Sequence, residues 1–246
     1  GQRRLPVDHD PPRRPAGGAP NWYGEQRFGA RGDNASAGLA LVRSGGKGGG
    51  PPKRKRFLVS ALQSHLFNQW LCERLTDGLD RTVLAGDVLT KPATGGMFVS
   101  SEPDVDQPRL DAGEVALTGP MFGGAMRSPP EGSAAYAREA RLLAAVALAP
   151  TDFARLGGLA TGTRRIGFLA LTGTAVEVVA PDAIRVTFTL PAGAYATAIL
   201  REVQKCPDGF GAEPDPDAAA PDDAAPDDRG DGAAAAPAPD PDQPLE

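Results

Sequence analysis

Lys53-Arg54-Lys55-Arg56 is a run of four consecutive cations in a chain of 246 residues. Two readings of it stand side by side. Such a cluster neutralises phosphates and releases counterions from a nucleic-acid backbone. It also reads as a well-solvated hinge, because SGGKGGGPPKRKR (44–56) reads as a flexible linker that ends in these four cations. Further upstream, Asn21–Gly29 reads NWYGEQRFG, which packs three aromatics and an arginine into nine residues. His65 lies beside an apolar helical stripe, where a packed or surface histidine is commoner than a catalytic one.

Other chemistries are excluded by composition and spacing. Two histidines and two cysteines, Cys72 and Cys206, give neither CxxC nor HxxxH, so no zinc site is expected. Both cysteines are expected as free thiols. Two histidines also assemble no Ser/His/Asp or Cys/His constellation. Gly46-Lys47 resembles the end of a phosphate-binding loop, but Gly48 follows instead of Ser or Thr, and Leu41 stands where the first glycine belongs. The longest apolar run, Leu142–Ala149, is eight residues, far short of the roughly 20 that span a bilayer. No basic-then-apolar leader follows Gly1. These readings point to a cytoplasmic protein without a membrane partner.

The formal net charge of −5 averages unlike pieces. Residues 207–246 hold twelve acids and one base, Arg229, for a net of −11; residues 1–206 net +6, and the first 56 residues net +8. The 207–246 stretch has only Phe210 and Leu245 as large apolar side chains, too few to offset chain entropy, so a disordered acidic tail is expected. It is either a solvated tail or a polyanion that competes with nucleic acid for the basic body.

The elements that must position these groups follow from periodicity. Residues 1–19 show none and read as irregular. Asp33 or Asn34 can cap a short helix through Arg43. Ser60 and Gln63 have the spacing of a capping box, and Leu62, Leu66, Phe67, Trp70, Leu71 and Leu75 then recur at helical intervals, with Gly78 as a stop. Residues 82–126 read as short strands broken by turns. A helix from Ser133 to about Ala149 places Tyr136, Ala140, Leu143 and Ala147 on one face. Thr151 or Asp152 begins a short turn. Thr163–Ala170, Ala175–Val179 and Ala183–Leu190 read as strands, the last with Ile184, Val186, Phe188 and Leu190 on one side. Pro191-Ala192-Gly193 is a turn before a helix over Ala194–Val203. The fold class is α+β.

Three segments together resemble the TruD family of tRNA pseudouridine synthases. PNWYGEQRFG (20–29) is similar to the family's N-Y-F-G-x-Q-R-F-G. RFLVSALQSHLFNQWL (56–71) is similar to its S-A-x-Q-S-x-L-F-N helix. FTLPAGAYATAILRE (188–202) is similar to F-x-L-P-x-G-S-Y-A-T-x-x-L-R-E. The resemblance covers about residues 20–205 and implies a catalytic domain of mixed or antiparallel sheet with helices, carrying an inserted α/β TRUD-type domain. The insertion would occupy 50–160 and the catalytic part 20–49 with 161–206, followed by the tail from 207 to 246. It further implies a monomer that acts on tRNA without metal or cofactor, converting a uridine (position 13 in the family) to pseudouridine.

The family's essential aspartate lies in a G-x-K-D segment upstream of N-Y-F-G. This chain has twenty residues before Asn21 and no Lys-Asp pair anywhere, so no catalytic aspartate carries over, and an N-terminally truncated member is expected. The supporting shell does carry over. Asn21 matches an asparagine that hydrogen-bonds near the aspartate. Tyr23 matches a phenylalanine that stacks on the target base, and Gln26, Arg27 and Phe28 complete the segment. Lys53, Arg54, Lys55 and Arg56 are candidate RNA backbone contacts. Arg201 and Glu202 could pair to orient the last helix. The alternative function is an inactive RNA-binding remnant.

Overall fold

The fold is built on one long helix, α2 (Pro52–Thr76), in a computed structural model that describes residues 18–29, 32–191 and 194–204, with the backbone alone at 201–204. The acidic tail, Cys206, most of the 1–19 segment, Ala192 and Gly193 of the expected turn and the Arg201–Glu202 side chains lie outside the described residues.

Helix α2 is buried on more than one side. Leu58, Val59, Leu62 and Leu66 join one apolar cluster with Leu143, Phe153 and Leu156. Phe67, Trp70 and Leu71 join a second with Leu89, Val115, Leu117 and Met121. The helix starts eight residues before the expected Ser60 cap. Pro52 occupies its first turn, where the missing N–H costs nothing. The expected linker therefore ends at Pro51, and the four cations lie in the first turns of the helix. Ser60 and Gln63 are interior, and they bond outward instead of capping.

Helix α1 (Asn34–Arg43) packs on α2. Asp33 stands at its N-cap without a side-chain capping bond. Gly38 permits the contact, because a Cβ there would lie 2.1 Å from the Leu58 carbonyl oxygen. Among the short elements, β1 (Ala19–Pro20), β2 (Val88–Thr90), β3 (Met97–Val99), β4 (Ala116–Met121), β5 (Thr163–Ile166) and β6 (Phe168–Leu169) pair only antiparallel. The order β3-β2-β4-β5 makes a four-stranded sheet that packs on α2 through β4, and β1 pairs with β6. Helix α3 (Pro103–Asp111), between β3 and β4, lies in the stretch read as strands and turns. Its N1 proline and early acids are start signals, masked by a second proline, Pro108.

Helix α4 (Ala134–Ala145) is capped by Ser133, whose Oγ accepts from the Tyr136 N–H at 3.2 Å. Its buried face is Ala135, Glu139, Leu142 and Leu143, not Tyr136–Ala140–Leu143–Ala147. The helix ends before Ala147, and its inward position 139 is held by a charge. Arg164 on β5 meets Glu139 at 2.8 Å and also donates to the Thr118 carbonyl at 2.7 Å. A second buried pair, Arg74–Asp87, is bidentate at 2.8 Å for both bonds. A short helix, α5 (Pro150–Ala154), follows, with Asp152 accepting from the Ala149 N–H. Strands β7 (Thr172–Ala180) and β8 (Ala183–Thr189) form a hairpin in which Val176 faces Val186 and Val178 faces Ile184. The alternation read for β8 is present, but Val176, Val178 and Ile184 are exposed among the described residues. Helix α6 (Ala196–Gln204) ends the described part. No helix among the described residues is long and apolar enough to cross a membrane.

Candidate functional site

The Asn21–Gly29 segment leaves β1 and crosses the middle of α2. Asn68 holds it as a strand would: its Oδ1 accepts from the Tyr23 N–H at 2.9 Å and its Nδ2 donates to the Tyr23 carbonyl at 3.0 Å. Asn21 is buried; its N–H donates to the Gly167 carbonyl at 2.9 Å and its Nδ2 to the Ile166 carbonyl at 2.8 Å. The remaining Asn21 oxygen accepts from Arg165 Nη2 at 2.6 Å. The amide orientation is thereby fixed, since the acceptor side faces a guanidinium and the donor side a carbonyl.

Arg165 follows Arg164 on β5, and strand alternation sends the two to opposite sides. Arg164 goes to the buried Glu139, and Arg165 to the site. Its guanidinium lies 4.1 Å from the centroid of the Tyr23 ring and 5.5 Å from that of Phe67. Tyr23 also meets Phe67 edge-on at 5.7 Å and Tyr195, ahead of α6, at 5.9 Å. Its hydroxyl points at Met121 Sδ, 3.7 Å away. Arg27 comes from a 3-10 turn (Glu25–Phe28); it donates to Ser60 and, at 3.3 Å, to Ser64, with its guanidinium 5.6 Å from the Tyr23 centroid. A half-buried ring thus sits among two guanidiniums and two further aromatics, an arrangement suited to a flat, polar-edged ligand and an anion beside it.

Of the residues singled out in the sequence, Asn21, Tyr23 and Arg27 come together here. Phe28 points to a neighbouring spot, where its ring meets His65 edge-on at 6.3 Å. Gln26 is exposed. Lys53, Arg54 and Arg56 are exposed at the start of α2, whereas the Lys55 ammonium donates to the Gly46 carbonyl at 2.8 Å. Burial lowers the pKa of His65, which keeps its imidazole neutral at neutral pH. The structure adds Asn68, Arg165 and Tyr195. Asn68 and Tyr195 lie inside quoted motifs, while Arg165 was signalled only by two adjacent arginines on a strand, one of which must face inward. Among the described residues, no group of three His, Cys, Asp or Glu side chains could hold a metal ion.

The model of the tRNA pseudouridine synthase D (TruD) family matches residues 50–203. The chain belongs to the TruD family. A tRNA pseudouridine synthase D from Anaeromyxobacter dehalogenans is 48% identical over 196 residues, covering 77% of this chain and 55% of the relative. Its counterpart from Thermus thermophilus is 41% identical over 202 residues, covering 81% of this chain and 54% of the relative. The chain therefore spans about half the length of the TruD relatives it matches. A crystal structure of a TruD protein from Methanosarcina mazei shares the fold, with a TM-score of 0.63 at 19% identity, covering 78% of this chain and 62% of that one.

Proposed function

We propose that this chain supplies the base-holding shell and RNA-binding body of a tRNA pseudouridine synthase. The reaction breaks the N-glycosidic bond of a uridine, turns the uracil and rejoins it through carbon 5; the carbon-5 proton leaves to solvent and N1 takes up a proton, so the product is an isomer. Tyr23 holds the target base by stacking. Asn21, locked by Arg165 and Ile166, presents its side chain beside the reacting sugar. Arg27 takes the adjoining phosphate, and Gln26 and Phe28 complete the segment. Lys53, Arg54 and Arg56 contact the backbone of the tRNA more distantly. The catalytic part comprises 20–49 and 161–206, and 50–160 form the inserted domain. The observation that supports this reading most is the Asn21–Arg165–Tyr23 cluster, in a chain with family membership and the N-Y-F-G-like segment.

The family aspartate has no counterpart in these 246 residues, so turnover requires a G-x-K-D segment from outside them. The test is tritium release from tRNA transcribed with 5-tritiated uridine. The chain alone releases none. Addition of the portion of the Anaeromyxobacter relative that this chain does not match restores release. Turnover by the chain alone would mean that another group is the nucleophile. Tight tRNA binding with no release in the mixture would favour the second reading, an RNA-binding remnant.

A further inference from the structure

Beside the Tyr23 cluster lies a separate cavity of about 510 Å³, between the Glu25–Phe28 turn, α1 and α2. Resting on the reading of the chain as an RNA-acting protein, we propose that this cavity is a second nucleobase subsite, which takes the unpaired base next to the target uridine. Its volume is in the range of small-molecule sites. Leu39 and Leu62 make its apolar walls, Phe28 and His65 supply two flat rings, and Ser36 adds a hydroxyl at the rim. Phe28 and His65 stand at 88° to one another, so a base that stacks on one ring lies perpendicular to the other. The neutral imidazole has one nitrogen that donates and one that accepts, which suits the mixed edge of a nucleobase. Sequence-reading RNA proteins hold unpaired bases with this combination of aromatic faces and edge hydrogen bonds.

Continuity with the first site fixes the occupant. Arg27 precedes Phe28, and its guanidinium is shared by the Tyr23 ring on one side and Ser64, the neighbour of His65, on the other. A cation that lies against the Tyr23 ring thus directly precedes, in the chain, a ring that lines the cavity, which suits two consecutive bases joined by one phosphate.

The test measures binding of fluorescein-labelled, unmodified tRNA by anisotropy. Three RNAs are compared: intact tRNA, and tRNA made abasic at either nucleotide flanking the target uridine. The proteins are the full chain, Phe28→Leu, which keeps the apolar bulk but removes the ring, His65→Leu and His65→Gln. Loss of the ring weakens binding of intact tRNA by about 5- to 100-fold, in line with the loss of one base–aromatic stack. The salt dependence stays unchanged, because no phosphate contact is lost. Abasic substitution at one flank weakens the wild type by a similar factor, and on that RNA Phe28→Leu makes no further difference. His65→Gln binds closer to wild type than His65→Leu. Equal affinity of Phe28→Leu and wild type for intact tRNA overturns the subsite. So does an equal loss on all three RNAs, which marks a structural role. If the wild type binds none of the RNAs, the RNA reading itself falls, and the subsite with it.

Discussion

Asn68 does at the residue scale what a neighbouring strand does in a sheet. It satisfies both backbone groups of Tyr23, and so sets the height at which that ring stands over α2. Asn68→Ala leaves the Tyr23 N–H and carbonyl without these partners in a half-buried place, and a loss of about 1–3 kcal/mol in unfolding free energy is expected, measured by urea denaturation. A loss below the error of that method would show that water takes over both bonds. The Asn21 and Tyr23 positions were legible in the sequence because a contiguous motif carries them. Arg165 was not, because its partner Asn21 is 144 residues away and the β1–β6 pairing, continued by the Asn21 N–H to the Gly167 carbonyl, is what brings them together. The aromatic surroundings of Tyr23 likewise draw on Phe67 and Tyr195, from two other segments.

Elements were legible where local signals agreed. The apolar stripe of α2 and the alternation of β8 are local, and both elements form. The start of α2 was misread because SGGKGGG invites a linker, while the Pro51-Pro52 pair that begins the helix reads equally as its end. The contact of α1 with α2 depends on Gly38. Gly38→Ala would push a methyl against the Leu58 carbonyl, and an expected cost of about 1–3 kcal/mol lowers the melting temperature by several degrees. An unchanged melting temperature would mean that the two helices separate without loss.

Glu139 offers a second test at this scale. Burial, the largest influence, raises its pKa above the ordinary carboxylate value, and Asp87 adds to this; the charge and hydrogen bond of Arg164 and the charge of Arg74 oppose it. The folded chain therefore keeps this proton to higher pH than the unfolded chain does. Stability from this group is full below the unfolded pKa and declines as pH rises toward the folded pKa. The melting-temperature difference, wild type minus Glu139→Gln, should be greatest near about pH 4 and fall as pH rises toward neutrality. A difference that grows with pH would show that Arg164 dominates.

For the whole molecule, the charge division matters more than the net charge. A +6 body and a −11 tail sit on one chain, and competition of the tail with a polyanion for the body is open to test. Removal of 207–246 should tighten tRNA binding at low salt and have little effect at high salt, where the tail's charges are screened. Equal affinities at low salt would rule out competition by the tail. The exposed valines of the β7–β8 hairpin belong to this scale too. The strand that carries them was visible in the sequence, but their exposure was not, since it depends on what packs against them.

The cluster around Tyr23 is proposed to hold the target uracil of a tRNA. This is tested most directly by the affinity of this chain for an unmodified tRNA and for the same tRNA without the uracil base at the target uridine. Removal of that base is predicted to weaken binding by about 5- to 100-fold, the worth of one stacked base, and Tyr23→Leu is predicted to abolish the difference. Equal affinity of the wild type for the two RNAs would contradict the account.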